Sequence, residues 1–311
     1  MIEIYSDSMY DCIKGVGVLK TGKSSTGAVD IVKEFMSAKS DIIFKLLFGD
    51  ELNKDLLITF LMAVLELPLS EFAHIEITDP HSKRKYKKDK LAILDIKVKT
   101  ATGKIINIEI QVQVALATRT RIVFYNARLM AEQLVKGDDY DNVKKVISII
   151  IAGDTLLPEH THYHDKFVLY SPETKTQLTD IIEFHTLELS KLPKESDGTD
   201  LCNWLEFINA DREEDLKMLA KKSPKMKAPV KKLLKLNQDE HARALYEARE
   251  KQRRDHTTMV NHARREGIKE GILEGEQKKA INTAKYLLGI NTPVEHIIGA
   301  TGLTKKEIES L

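Results

Sequence analysis

Apolar and polar residues alternate through most of the stretch from Leu91 to Gln113, the period of a strand with one buried face. Leu94, Ile96 and Val98 share one face of a first strand, and Ile106, Ile108, Ile110 and Val112 share one face of a second. The opposite face carries Asp95 and Lys97 on the first strand, and Asn107, Glu109, Gln111 and Gln113 on the second. Whether both apolar sets reach one core depends on the turn, because a one-residue slip moves every side chain of a strand to the other face. A three-residue loop of Ala101, Thr102 and Gly103, with the glycine in the left-handed conformation, pairs Thr100 with Lys104 and hence Asp95 with Glu109. Two- or four-residue loops would set Asp95 against Ile110 or Ile108 and mix the faces, so the three-residue register is expected.

Elsewhere the period changes. Phe44, Leu47, Phe48, Leu56, Leu57, Phe60, Leu61 and Val64 recur at three- and four-residue steps around a break at Gly49-Asp50, which predicts core-facing helices. Arg119 to Lys136 reads as a helix with Ile122, Tyr125, Leu129 and Leu134 among its apolar positions and Gly137 as its C-cap. Val146 to Ala152 is a continuous, mostly β-branched run, the pattern of a strand covered on both faces. Strand, helix and buried strand in that order make an α/β crossover. Phe167 to Tyr170 and Ile181 to Leu189 read as further strands, and Trp204 as the core anchor of a later helix. His160, His162 and His164 alternate, but same-face strand residues stand nearly 7 Å apart, so a polar strand edge is the better reading than one tetrahedral metal site.

From about Asn237 the chain becomes a charge-rich helix in which Gly267, Gly271 and Gly275 fall every four residues. A flexible linker and a seam for homo-oligomerisation both fit those glycines, since each costs a helix about 1 kcal/mol yet lets another backbone approach. Thr292-Pro293-Val294-Glu295 and Thr304-Lys305-Lys306-Glu307 both read as capping boxes of short helices. The pair resembles a helix-turn-helix, but its second helix opens on lysines rather than the arginine, asparagine or glutamine that read base edges, so a small packing or assembly module is favoured.

Composition bounds the rest. A chain of 311 residues with 42% hydrophobic content can bury a sizeable core. Three regions are expected: a glycine-interrupted extension over 1–38, a large domain over 39–236, and a helical region over 237–311. There is no run of about 18 apolar residues and no basic-then-apolar leader, so a cytoplasmic protein without membrane contact is expected. Cys12 and Cys202 are too far apart in sequence for metal-ligand spacing. Gly22 to Gly27, GKSSTG, lacks the earlier glycine of a phosphate-binding loop. Net charge is +1, so any nucleic-acid contact must come from local patches. The densest is Lys83 to Lys90, KRKYKKDK, directly before the first hairpin strand.

Two carboxylates opposed on neighbouring strands repel by about 0.2–1 kcal/mol in a solvated sheet and by more in a dry one. A cation between them would relieve that. Lys97 is one candidate, and a divalent ion such as Mg²⁺, which takes one or two carboxylates plus water, is the other. A half-exposed sheet with a solvated polar face is the plainer alternative.

Asp95, a glycine-bearing hairpin and Glu109-Ile110-Gln111 together resemble the motif of PD-(D/E)XK nucleases, in the variant with glutamine in place of lysine. More closely, the chain resembles the Rpn family of recombination-promoting nucleases, also labelled transposases. Asp41 to Leu65 is similar to that family's opening helical segment, and Arg121 to Tyr140 to its post-hairpin helix. The resemblance implies an α/β fold with a PD-(D/E)XK, restriction-endonuclease-like core, in which helices flank a mixed β-sheet, followed by a C-terminal helical extension. It implies a metal-dependent DNA endonuclease using Mg²⁺ or Mn²⁺, with a role in recombination or DNA mobility. Asp95, Glu109 and the carbonyl of Ile110 would hold the metal, Gln111 would orient the attacking water, and Lys97 would supply the positive charge the glutamine lacks. Lys45, Arg121 and Tyr125 are the implied DNA contacts, and Lys83, Arg84 and Lys85 of the basic run would hold phosphates beside the site, with a solvated loop as the alternative. In such enzymes the opening helix often donates another acidic residue, for which Asp41, Asp50 and Glu51 are the candidates. The alternative is a DNA-binding or assembly protein that keeps the fold and cleaves weakly or not at all.

Overall fold

The computed structural model describes residues 34–78, 95–115 and 117–311. Lys83, Arg84, Lys85 and nearly all of the expected N-terminal extension lie outside the described residues. In chain order the elements are α1 (Asp41–Phe48), α2 (Lys54–Leu65), β1 (Glu76–Thr78), β2 (Ile96–Lys99), β3 (Ile105–Gln111), α3 (Thr118–Ala131), β4 (Val146–Ala152), β5 (His164–Phe167) and β6 (Ile182–Glu188). Helices follow: α4 (Asp200–Asn209), α5 (Glu213–Lys222), α6 (Lys227–Gln238), α7 (Glu240–Gly289), α8 (Val294–Thr301) and α9 (Lys305–Glu309).

The strands form one mixed sheet in the order β1-β2-β3-β4-β6-β5. β3, β4 and β6 run parallel through its centre, and β1, β2 and β5 pair antiparallel toward the two edges. Central parallel strands must be covered on both sides, and the side chains sort accordingly. Ile106, Ile108, Ile110, Ile147, Ile149, Ile151 and Leu187 enter the main core with α1, α2 and α4. There an aromatic chain links the helices, with ring centroids 4.7 Å apart for Phe44–Phe48, 5.8 Å for Phe48–Trp204 and 5.6 Å for Trp204–Phe207. Such pairs contribute about 0.5–1.5 kcal/mol each beyond area burial. The other face of the sheet is closed by α3, through Ile122 against Ile150 and Ala152, and Leu129 against Val146.

The expected turn forms. The N–H of Thr100 donates to the carbonyl of Lys104 at 3.0 Å, and Gly103 takes φ +86°, where a side chain would be strained. Three local expectations need correction. Helix α3 stops at Ala131 rather than Lys136, because the Gln133 side chain both donates to and accepts from the backbone of Lys144, pulling the chain away from the helix axis. Gly137, at φ +102°, belongs to the turn beyond. The strand expected at Phe167 to Tyr170 runs from His164 to Phe167, and Tyr170 makes only an isolated bridge to Gln177. The Thr292 box does not form, and Pro293 precedes α8 without a side-chain cap, whereas the Thr304–Glu307 box is complete.

Helix α7 runs 50 residues without a break at its glycines. Its first turns belong to the main core through Ala242 and Tyr246, and its last turns pack with α8 and α9 around Ala284, Ile297, Leu303 and Ile308. Among the described residues no helix is long and apolar enough to cross a membrane.

Candidate active site

The ladder between β2 and β3 sets Ile96 opposite Ile108 and Lys97 opposite Asn107, so its continuation by one residue brings Asp95 opposite Glu109. Asp95 closes the end of that ladder with its side chain, Oδ2 accepting the backbone N–H of Ile110 at 2.8 Å. Its Oδ1 lies 3.0 Å from Nζ of Lys45, which reaches over from α1. Glu109 is almost fully buried, and its Oε1 accepts from Nδ2 of Asn107 at 3.1 Å. Burial pushes the Asp95 carboxyl above its ordinary value despite Lys45 and the Ile110 N–H, and nearby Asp41 adds to the rise. Burial also pushes Glu109 up, with the Asp95 charge in the same sense, against Asn107, Arg121 and Lys45. Both groups therefore sit where ionisation is costly unless further positive charge arrives.

Lys45 rather than Lys97 is the cation on Asp95. Lys97 lies on the strand beside Asn107 and makes no ion pair among the described residues. Gln111 ends β3, where its carbonyl accepts from Gly153 N–H at 2.9 Å. Gly153 is required there, since a Cβ would stand 2.6 Å from the carbonyl oxygen of Val112.

Across the same face, α3 presents Arg121. Its charge acts on Glu109, yet its Nε and Nη2 are shielded from solvent and have no hydrogen-bond partner, as does Oδ1 of Asn107. Buried polar groups left unpaired are uncommon and call for an explanation. A bound phosphate oxygen would satisfy the guanidinium. Tyr125, one turn further, is not brought to the carboxylates: it packs with Ile105, Leu129 and Val146 at the other end of β3 and β4.

Of the three acidic candidates in the opening helices, Asp41 is the one whose charge reaches Asp95. Asp50 caps the N–H of Leu52, and Glu51 pairs with Lys54 at 2.6 Å. Asp41 in turn is bridged by Arg249 of α7, whose Nε donates to Oδ1 at 3.2 Å. Sequence reasoning missed Arg249, and no local signal marks it, because the partners are 208 residues apart. Beside this bridge an open cleft of about 640 Å³ is lined by Gln113 after β3 and by Arg249, Arg253, Arg254 and His256 of α7.

This arrangement, with acidic groups at the carboxyl end of the central strands under an arginine-bearing helix, defines a nuclease-like α/β protein. Over residues 38–263 the chain matches the model of the PD-(D/E)XK nuclease family transposases, and it belongs to that family. No curated protein and no solved structure matches it.

Proposed function

We propose that the protein is a divalent-metal-dependent DNA endonuclease that hydrolyses phosphodiester bonds, and that it serves recombination or DNA mobility as its resemblance to the Rpn family implies. The observation that carries this reading is the opposed pair of the partly buried Asp95 and the buried Glu109 beside an arginine with unsatisfied donors. The donor set fits Mg²⁺ or Mn²⁺. Both carboxyls are pushed up by burial and so favour a cation, and their oxygens suit an ion that takes few protein ligands and keeps its waters. Among the described residues no group of three or more histidine, cysteine or acidic side chains is placed to hold a metal ion, so the ion would rest on the two carboxylates, a backbone carbonyl and water. Asp95, Glu109 and the Ile110 carbonyl would hold the ion, which when bound supplies Lewis-acid polarisation of the phosphate and a water of lowered pKa.

The chain's own groups supply the rest. Arg121 donates through Nε and Nη2 to the non-bridging oxygens of the scissile phosphate, where charge builds during in-line attack. Lys45 spends one N–H on Asp95 and has two left for the same phosphate or its neighbour. Gln111 orients the attacking water through its amide; being neutral, it accepts no proton at neutral pH. Lys83, Arg84 and Lys85 hold flanking phosphates. The catalytic unit is the domain over 39–236 together with the first turns of α7, and the region beyond is a helical extension.

The test is conversion of supercoiled plasmid by the purified protein in Mg²⁺, in EDTA, and with Asp95→Ala and Glu109→Ala alongside. Cleavage lost in EDTA and in both variants supports the reading. Equal cleavage by the variants rejects the site. The Lys45–Asp95 ion pair favours one competing reading, a DNA-binding protein whose site is filled by its own lysine. Binding without cleavage by every form would select it.

A further inference from the structure

The cleft beside Asp41 does not end at its walls. From Arg254 to Lys279 every residue of α7 is exposed, about 39 Å of helix at 1.5 Å per residue. This stretch packs on nothing else in the chain among the described residues, and it exposes Met259, Val260, Ile268, Ile272 and Leu273 between its charges, so it either bridges two bodies or presents a face to a partner. Here the bridging role is filled, since its ends pack in the main core and in the C-terminal cluster. Its surface is not random. Arg249, Arg253, His256, Val260, Arg264, Gly267 and Gly271 follow one another at steps of three and four, which places them on one face. No acidic residue occupies that row. Between Glu247 and Arg265 the helix carries six basic and three acidic side chains, in a chain whose net charge is only +1. Within the row Arg249 is paired with Asp41 and Arg253 with Glu250 at 2.7 Å, whereas Arg264 makes no ion pair among the described residues.

We propose that this face of α7 is a DNA-backbone track that continues the cleft outward from Asp95 and Glu109. The proposal rests on the nuclease reading and adds where the substrate lies. The row starts at Arg249, whose bridge to Asp41 fixes it beside the carboxylates, and reaches Arg264 15 residues on, about 22 Å away. At 3.4 Å per base pair that spans six to seven base pairs of duplex. Charge complementarity selects the occupant: between Arg249 and Arg265 a polyanion meets the basic excess, and the track ends before Glu266 and Glu270.

The experiment measures binding of the full chain, in EDTA so that nothing is cut, to a duplex of about 20 base pairs over a range of salt. Arg264→Gln is compared with Arg264→Lys and with the unaltered protein, since both substitutions preserve helix propensity. The glutamine variant is expected to bind more weakly, with a salt slope lower by about 0.9, the value for one phosphate no longer neutralised. The lysine variant is expected to restore the slope. Equal slopes for all three forms overturn the track. If the unaltered protein is also a dimer in sedimentation and the glutamine variant a monomer, the face belongs to a second copy instead. No binding to the duplex, with no plasmid cleavage, rejects the nuclease reading and the track with it, whereas cleavage with equal salt slopes in the three forms rejects the track alone.

Discussion

Asp95 and Glu109 are held in surroundings that penalise their charges, and that fixes the sign of what single substitutions do. Glu109 is the cleaner case, because its hydrogen bond from Asn107 would persist with a neutral amide. Its folded pKa is raised above the unfolded value of 4.5, chiefly by burial, so the ionised carboxylate opposes folding at neutral pH and protonation relieves it as pH falls. Glu109→Gln is therefore expected to raise the melting temperature in EDTA at pH 7, and to lose that advantage toward pH 4, in parallel scans. A lower melting temperature at pH 7 would mean that the carboxylate is already compensated. The cations can be ranked in the same way. Lys45 touches Asp95 at 3.0 Å and Lys97 touches no carboxylate among the described residues, so Lys45→Ala should reduce plasmid cleavage more than Lys97→Ala. The reverse order would return the compensating role to Lys97. Charge alternation on the strand made Lys97 the natural candidate; the approach of α1 over the end of the sheet is tertiary and leaves no trace in the spacing of Lys45.

At the scale of the element, what could be read from sequence is what is decided locally. The hairpin register follows from one glycine and two alternating patterns, and both reappear as the Thr100–Lys104 hydrogen bond and the Ile96–Ile108 pairing. The buried central strand shows itself as β4, with all seven of its residues buried. The end of α3 could not be read, because it is set by a glutamine reaching across to Lys144, not by a capping residue. Gly153 is another such case: nothing nearby says that it abuts β3, yet a Cβ there would collide with backbone at Val112. Gly153→Ala is expected to cost about 1–3 kcal/mol, as overpacking does. It should also lower cleavage, since the displaced segment directly follows Gln111. Urea unfolding and the plasmid assay together check this. A variant as stable and as active as the unaltered chain would show that the loop yields freely.

Over the whole molecule, the two ends of the sheet respond to acid in opposite directions. The fold class was legible, but the couplings that join distant segments were not, because Asp41 with Arg249 and His164 with His185 depend on the finished packing. At the β5–β6 edge, Nε2 of His185 lies 2.8 Å from Oε1 of Glu183, so in the neutral ring its Nδ1 accepts from Nε2 of His164, also at 2.8 Å. Burial, reinforced by the His185 charge, pulls the His164 pKa from 6.5 down to about 4. Glu183 is pushed up by burial, but hydrogen bonds from His185, Lys145 and Lys166 outweigh this and hold it well below its ordinary value. For His164 the unfolded chain takes up a proton near pH 6.5 that the folded chain refuses until about pH 4, so its contribution to stability is complete above 6.5 and is lost as pH falls across that window. Glu183 adds a loss of the same sign below 4.5, where the unfolded carboxylate protonates first. Asp95 and Glu109 act oppositely, gaining stability as they protonate. Because the two sets oppose each other, the expectation is a difference: in thermal melts of the metal-free protein between pH 7.5 and 4, His164→Asn should gain on the unaltered protein as pH falls through 6.5 toward 4, while leaving plasmid cleavage at pH 7.5 unchanged. The same pH profile in the variant would place the acid sensitivity elsewhere. A loss of cleavage at pH 7.5 would show that this edge of the sheet is coupled to the carboxylates two strands away.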